Sequence, residues 1–218
     1  CRKEKRKKEE SVEFTPAQKT AIETKNCSLL VAAGAGSGKT RVLTHRTAYL
    51  IEELGINPYN IMAITFTNKA ATELKERIAA KLGEGAESLW AGTFHSICGK
   101  ILRMNAERIG FTSHFTVYDT DDQKRLIKNI MKDNGIDEKM FPIRGVLAAI
   151  SSSKDSIVTP QEFAQTAGND YRQQTIAKLY DEYQKRLKTA DAMDFDDMIN
   201  YTVKLLGENP DVLEHYGS

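Results

Sequence analysis

The sequence predicts an α/β fold with a parallel sheet, interrupted or followed by a region that is almost all helix. Short apolar runs alternate with helical patterns over residues 15–108, an order typical of parallel strands joined by right-handed crossovers. From residue 120 onward the apolar residues recur at helical spacing instead. A glycine-rich segment also joins the first apolar run to the helix that follows it. Together these three observations favour a sheet domain combined with a helical one.

Three apolar runs in the first half have the length of buried strands and are bounded by polar or glycine-containing turns. They are residues 28–32, 60–66 and 88–91. Two helical stripes lie between them, and each ends at a glycine, a residue that favours helix C-termini. The stripes are Leu43, Thr47, Leu50 and Leu54 before Gly55, and Ala70, Leu74, Ile78 and Leu82 before Gly83.

The second half contains three further stripes at helical spacing. They are Leu126, Ile127, Ile130 and Met131, then Val146, Leu147 and Ile150, and then Ile176, Leu179, Tyr180, Tyr183 and Leu187. A helix start is predicted at Thr159, because proline follows this capping residue and Glu162 stands at the third helical position. These patterns predict an all-helical region.

Composition excludes several classes of protein. The 31 basic and 30 acidic residues leave a net charge of +1, so bulk charge gives no argument for nucleic-acid binding. No apolar run approaches the roughly 18 residues of a membrane helix, and we expect no membrane partner. The three cysteines, Cys1, Cys27 and Cys98, are too few and too far apart for a disulfide framework or a cysteine zinc site. This cysteine usage predicts a cytoplasmic protein.

The two ends of the sequence favour a fragment. The chain begins without methionine, and its first ten residues carry six basic and three acidic side chains. We predict that residues 1–13 form a disordered charged tail, with a phosphate-binding arm as the alternative.

The glycine-rich segment predicts a phosphate-binding loop, because it leads from a strand into a helix. Its residues are Ala33, Gly34, Ala35, Gly36, Ser37, Gly38, Lys39 and Thr40. Glycines let backbone N–H groups converge on phosphate oxygens, and the helix N-terminus adds positive potential. Lys39 would reach the β- and γ-phosphates and the Thr40 hydroxyl would ligate Mg²⁺, so both are catalytic candidates. The general pattern places glycine where this chain has Ala33, which indicates a variant loop.

Five runs of sequence, in this order, resemble the Rep/UvrD/PcrA-type superfamily 1 DNA helicases. They are FTPAQ from residue 14, AGAGSGKTRVLTHR from 33, AITFTNKAATELKERI from 63, GTFHSIC from 92 and AMDFDDMI from 192. Alanine at position 33 is the form that such helicases use. The resemblance implies ATP and Mg²⁺ as cofactors and a RecA-like motor domain with an inserted helical subdomain. We therefore expect the motor domain over residues 14–108, the helical insertion over 109–212 and a return to the motor domain over 213–218.

The resemblance also implies two residues on the base side of the nucleotide. Gln18 would read the adenine edge with its amide, although it also fits a capping box with Thr15. Arg41 would stack its guanidinium on the adenine, and a solvated helix arginine is the alternative.

The resemblance implies that two strand ends bind single-stranded DNA, and the carboxyl ends of parallel strands are where such sheets bind ligands. The residues are Thr65, Phe66, Thr67, Asn68 and Lys69 after the second strand, and Thr93, Phe94 and His95 after the third. Phe66 could stack a base, and the polar residues could contact phosphate or sugar. The alternatives are a core role for Phe66, a helix cap at Asn68 and a capping or buried polar role for His95. A lone histidine is not a zinc site.

Acidic residues are assigned structural roles. The run from Asp194 to Asp197 predicts a helix N-terminus, where the helix dipole stabilises carboxylates. Asp119 resembles the entry to the helical subdomain rather than a Mg²⁺ ligand. The resemblance places the Mg²⁺ and water-activating carboxylates, and the arginine fingers, outside this chain. We therefore expect no ATP turnover from the chain alone.

The resulting hypothesis is the N-terminal part of an ATP-dependent DNA helicase that translocates 3′ to 5′ on single strands and acts at single-strand/duplex junctions. The polarity rests on the resemblance alone. A phosphate-loop kinase is one alternative. A non-enzymatic nucleic-acid-binding module, with a purely structural loop, is the other.

Overall fold

A computed structural model describes residues 13–25, 27–34, 36–83 and 88–217. The predicted charged tail therefore lies outside the described residues, except for Glu13. The chain divides into two compact units, Cys1–Thr93 and Phe94–Ser218. This division by packing does not test the expected domain boundary at residue 108, which stays a prediction. None of the helices in the described ranges is long and apolar enough to cross a membrane.

In its described residues, the first unit combines three α-helices with a two-stranded parallel sheet. Its elements are α1 (Pro16–Glu23), α2 (Lys39–Glu52), β1 (Met62–Thr65), α3 (Asn68–Leu82) and β2 (Trp90–Thr93), with a 3₁₀ turn at Pro58–Asn60. The strands β1 and β2 run parallel, with Met62 opposite Trp90 and Thr65 opposite Thr93. Leu74 and Ile78 of α3 are fully buried against this sheet. The predicted strands at 60–66 and 88–91 are thus confirmed. The second of them begins and ends two residues further along the chain than predicted.

The predicted first strand, at residues 28–32, is wrong. The structure gives this segment no regular secondary structure, and the side chain of Leu30 is 95% exposed. A strand needs a neighbour that accepts and donates backbone hydrogen bonds. In the described part of this unit the only paired strands are β1 and β2, so the apolar run has no ladder to join.

The second unit is mostly helical. Its elements are α4 (Phe94–Met104), a 3₁₀ turn (Ala106–Ile109), β3 (Thr116–Tyr118), α5 (Thr120–Asp133), α6 (Ile143–Asp155), α7 (Pro160–Thr166), α8 (Tyr171–Thr189), β4 (Ala192–Asp194), α9 (Phe195–Glu208) and α10 (Pro210–Gly217). The predicted stripes form one core, in which α5, α6 and α8 bury Ile130, Ile150 and Tyr183. The prediction of an all-helical region is wrong in one respect, since β3 and β4 pair as parallel strands. Their pairing is non-local, and helical periodicity carries no signal for it.

Candidate functional site

The phosphate loop is shaped by two glycines with left-handed backbone conformations. Gly36 has a φ of 74° and Gly38 a φ of 81°, values that other residues adopt at a steric cost. Gly38 is the N-cap of α2, so the chain turns sharply into the helix at Lys39. Ala35 lies outside the described residues. The glycines thus occupy positions that this loop conformation requires.

The Lys39 side chain folds back over the loop. Its Nζ donates to the carbonyl oxygen of Gly34 at 2.7 Å and to that of Ala33 at 3.2 Å. The Ser37 hydroxyl donates to the same Gly34 oxygen at 2.8 Å. The ammonium therefore lies inside the loop, beside a helix start whose first N–H groups have no intrahelical acceptor. This concentration of donors and positive charge suits an anion such as phosphate.

Thr40, the second residue of α2, is half-buried. Its hydroxyl is the loop's candidate ligand for Mg²⁺. Within the described ranges, no group of three or more His, Cys, Asp or Glu side chains is arranged to hold a metal ion. The donor set therefore fits a Mg²⁺ ion that takes its remaining ligands from phosphate and water, as this ion commonly does.

Gln18 lies against the loop and also caps its own helix. Its Oε1 accepts from the Thr15 backbone N–H at 3.0 Å, and Thr15 Oγ1 accepts from the Gln18 N–H at 3.3 Å. Its Nε2 donates to the Ser37 carbonyl oxygen at 3.1 Å. The capping box is therefore confirmed, and the same amide joins α1 to the phosphate loop. Contact with adenine stays a prediction.

Arg41 lies over an aromatic ring rather than fully in solvent. Its Cζ is 4.3 Å from the centroid of Phe14, within the range of a cation–π contact. The Phe14 ring in turn meets His45 edge-on, with centroids 4.6 Å apart. Phe14 was part of the sequence run that carried the resemblance, but it was not predicted to contribute to the site.

The carboxyl ends of β1 and β2 lie side by side, because Thr65 is opposite Thr93 in the parallel register. Phe66 follows β1 directly, and its side chain is 90% exposed. The alternative of a core role for Phe66 is therefore wrong. Thr67 Oγ1 accepts from the Ala70 N–H at 3.2 Å, so Thr67 is the cap of α3, not Asn68.

The remaining predicted DNA contacts of this unit differ in exposure. Asn68 and Lys69 are the first two residues of α3, and both are exposed. Thr93 is nearly buried, at 9% exposure. The strand end therefore offers an aromatic face, an amide and an ammonium to solvent, which are groups suited to a base and a sugar–phosphate backbone.

The predicted contacts Phe94 and His95 belong to the second unit, where they open α4. Phe94 is 44% exposed. The half-buried His95 ring meets Phe195 edge-on at 5.5 Å. His95 therefore has a packing role in this unit, and its contact with DNA stays a prediction.

The predicted acidic helix start is confirmed and is also the centre of a buried ionic cluster. Asp194 caps α9 and forms a capping box with Asp197. Lys154 Nζ lies 2.6 Å from Asp194 Oδ2 and 2.8 Å from Asp197 Oδ1. The hydroxyl of Tyr183 donates to Asp194 at 2.9 Å. These four residues are called the Lys154 cluster below.

Burial shapes the titration of the Lys154 cluster. Desolvation raises the pKa of Asp197 to about 6; the Asp194 carboxylate adds to this rise, and the Lys154 ammonium opposes it. Burial is also the main reason that the pKa of the Tyr183 hydroxyl rises above its ordinary value, with the Asp194 charge acting in the same direction. Two carboxylates and one ammonium share this space, so the Asp197 carboxyl holds its proton more tightly than an exposed aspartate does.

Comparison with known proteins shows that the chain is similar in sequence to helicases. The family model described as the UvrD/REP helicase N-terminal domain matches residues 14–218. The protein named ATP-dependent DNA helicase PcrA from Bacillus subtilis (strain 168) is 49% identical over 203 residues, which are 93% of this chain and 27% of that protein. The protein of the same name from Staphylococcus aureus (strain Mu50) is 49% identical over 199 residues, 91% of this chain and 27% of that protein. The chain thus spans about a quarter of the length of these curated relatives.

Proposed function

Because this chain belongs to the UvrD/REP helicase family, we propose that it carries the nucleotide-binding loop and part of the single-stranded DNA contact of an ATP-dependent DNA helicase. The observation that supports this most is the position of Lys39. Its ammonium lies within the glycine loop, bonded to the Ala33 and Gly34 carbonyl oxygens, at the N-terminus of α2.

The proposed ligand of the loop is ATP with Mg²⁺. Backbone N–H groups of the residues from Ala33 to Thr40 hold the phosphate oxygens, and Lys39 neutralises their charge. The Thr40 hydroxyl is a ligand for Mg²⁺, which spreads the phosphate charge when bound. Gln18 and Arg41 contact the adenine. In this arrangement the chain binds and orients the triphosphate, since the groups that act on attacking water are not among these residues.

The proposed single-strand contact lies at the carboxyl ends of β1 and β2. Phe66 stacks on an unpaired base, and its 90% exposure supports this role. Lys69 neutralises a phosphate. The sugar–phosphate backbone of the DNA strand accepts hydrogen bonds from the polar side chains of Thr65, Thr67, Asn68 and Thr93. These contacts are sequence-independent, because backbone atoms and base faces are common to all nucleotides. Phe94 and His95 remain proposed DNA contacts of the second unit.

For the protein as a whole we propose 3′ to 5′ translocation on single-stranded DNA and action at single-strand/duplex junctions. The proposed architecture is a RecA-like motor domain over residues 14–108, an inserted helical subdomain over 109–212 and a return to the motor domain over 213–218. The mixture of parallel strands and helices is compatible with it. The printed name of the relatives, ATP-dependent DNA helicase, supports the activity.

The test is a calorimetric titration of ATP and Mg²⁺ into the wild-type chain and the Lys39→Ala variant. A charge-assisted hydrogen bond contributes about 1.5–3 kcal/mol, so the variant should bind about tenfold or more weakly. Lys75→Ala is the matched control, because Lys75 is an exposed lysine of α3 and its removal changes the net charge equally. Equal affinity of the wild type and Lys39→Ala would remove the basis of the proposal.

A further inference from the structure

Phe14 stands just before the cap of α1, where an apolar residue ordinarily packs against the fourth position of its own helix. That position holds the exposed Lys19 in this chain. The Phe14 ring instead contacts α2. Its face meets the Arg41 guanidinium, 4.3 Å from centroid to Cζ, and its ring meets His45 edge-on at 4.6 Å.

The geometry of α2 makes this double contact possible. Arg41 and His45 are four residues apart, so they lie on one face of the helix. The single ring of Phe14 bridges them, and it restrains a long side chain that otherwise samples many rotamers. A planar guanidinium can stack on an aromatic face in this way and still present a plane to a second ring system.

Helix α1 is attached to the rest of the site at both ends, which fixes the position of Phe14. At its C-terminal end, Arg46 Nη1 donates to the carbonyl oxygens of Ala21 at 2.8 Å and Thr24 at 2.9 Å. Nearer its N-terminus, the Gln18 amide donates to Ser37 of the phosphate loop. The ring is therefore held relative to both the loop and α2.

We propose that Phe14 is a positioning residue for the base side of the nucleotide site, acting through Arg41. The ring holds the guanidinium in the orientation that stacks on the purine of a nucleoside triphosphate. Binding then costs less side-chain entropy, because the arginine is ordered before the base arrives. This inference rests on the proposed function, and it concerns the base alone, not the phosphates.

The test compares two ligands, ATP and inorganic tripolyphosphate, each with Mg²⁺, by calorimetry. Phe14→Leu keeps an apolar side chain but removes the aromatic face, and Phe14→Tyr keeps the face. We expect Phe14→Leu to lose about two- to five-fold in ATP affinity, the equivalent of about 0.5–1 kcal/mol for an exposed cation–π contact. Its affinity for tripolyphosphate should not change, and Phe14→Tyr should bind both ligands as the wild type does.

A double-mutant cycle with Arg41→Ala keeps the test decisive even if Phe14→Leu lowers the unfolding temperature. If Phe14 acts through Arg41, Phe14→Leu causes no further loss of ATP affinity in the Arg41→Ala background. An equal loss in both backgrounds would overturn the inference, as would an equal loss for ATP and tripolyphosphate. Failure of the proposed function looks different, because Lys39→Ala would then leave ATP affinity unchanged whatever the residue at position 14.

Discussion

The ammonium of Lys154 lies 2.6 Å from a carboxylate oxygen of Asp194, and the two side chains are only 1% and 3% exposed. Asp197 makes the second ion pair with the same nitrogen. Water cannot replace either partner at this depth. The pair therefore affects stability mainly through the cost of losing one member, since a charge would be left buried without its partner.

Lys154→Met should destabilise the chain by about 3–5 kcal/mol, because it leaves two buried carboxylates without a cation. The matched control is Lys185→Met. Lys185 pairs with Asp181 at 2.5 Å on the surface of α8, where its side chain is 65% exposed, and such pairs contribute about 1 kcal/mol or less. Urea denaturation of the three proteins measures both effects. Similar small losses in the two variants would show that the Lys154 cluster is not buried as described.

Asp197 should make the stability of the chain depend on pH between 5 and 7. Its pKa is raised from an ordinary 3.8 to about 6 in the folded chain, so the folded state holds this proton more tightly than the unfolded state. The associated stability is fully present below pH 3.8 and is lost as pH rises through 6.

The measurement is the free energy of unfolding of the wild type and Asp197→Asn at pH 5 and pH 7. We expect the wild type to lose about 1 kcal/mol relative to the variant over this interval. Titrating groups outside the Lys154 cluster affect both proteins and cancel in the difference. A constant difference at the two pH values would mean that Asp197 titrates below this range.

Phe66→Ala should weaken binding of a short oligothymidine at least several-fold, because base–aromatic stacking contributes about 1–3 kcal/mol. The unfolding temperature should hardly change, since the side chain is 90% exposed. Fluorescence anisotropy gives the affinity, and thermal unfolding gives the stability.

Lys69→Ala is the companion variant, measured over a series of salt concentrations. Loss of one phosphate contact should lower the slope of log affinity against log salt by about 0.7, whereas Phe66→Ala should leave that slope unchanged. Unaltered oligothymidine binding by Phe66→Ala would exclude stacking at this position.

Ile157→Gly should stabilise the chain by about 0.5–1 kcal/mol. Ile157 follows α6 with a φ of 56°, and its N–H donates to the Lys154 carbonyl oxygen at 2.9 Å. Glycine is preferred in this left-handed position. Removing the Cβ atom relieves about 1–2 kcal/mol of steric strain, which exceeds the stability lost because glycine gives the unfolded chain more conformational freedom. The Ile157 side chain is 60% exposed, so little packing is lost.

Ile157→Ala serves as the control in the same thermal unfolding experiment. It removes the same exposed side chain but keeps the Cβ atom that makes the left-handed conformation unfavourable. We expect no gain from alanine. A gain of the same size from alanine and glycine would show that the side chain, not the backbone conformation, is the source of the strain.

Features that depend on neighbouring residues could be predicted from the sequence. The capping box of Thr159 and Glu162 is present as expected, and so is the end of α3 at Gly83. Both are determined by residues within one or two helical turns. The turn from the glycine-rich segment into α2 belongs to the same group, because the helix follows Gly38 directly; phosphate binding by this segment stays a prediction.

Features that depend on distant partners could not be predicted. Among the described residues of the first unit, no strand pairs with the apolar segment 28–32, and nothing in the residues of that segment indicates this. Lys154 was missed although it follows Val146 and Ile150 at four-residue spacing on α6. A lysine that continues an apolar stripe is a usable signal of a buried charge, but its partners lie at the end of β4 and the start of α9. The contact of Phe14 with Arg41 likewise joins the segment before α1 to α2.

The Gly34 carbonyl oxygen accepts from the Ser37 backbone N–H, from the Ser37 hydroxyl and from the Lys39 ammonium. The Lys39 ammonium has three N–H groups and donates to two carbonyl oxygens, those of Gly34 and Ala33, so an incoming anion meets a lysine whose donors are already largely used. An anion that offers a single acceptor therefore gains at most one further hydrogen bond from this ammonium. A polyphosphate offers several charged oxygens at once and gains from each. We therefore expect the loop to discriminate against chloride and other small anions and to favour ligands that bring a chain of phosphates.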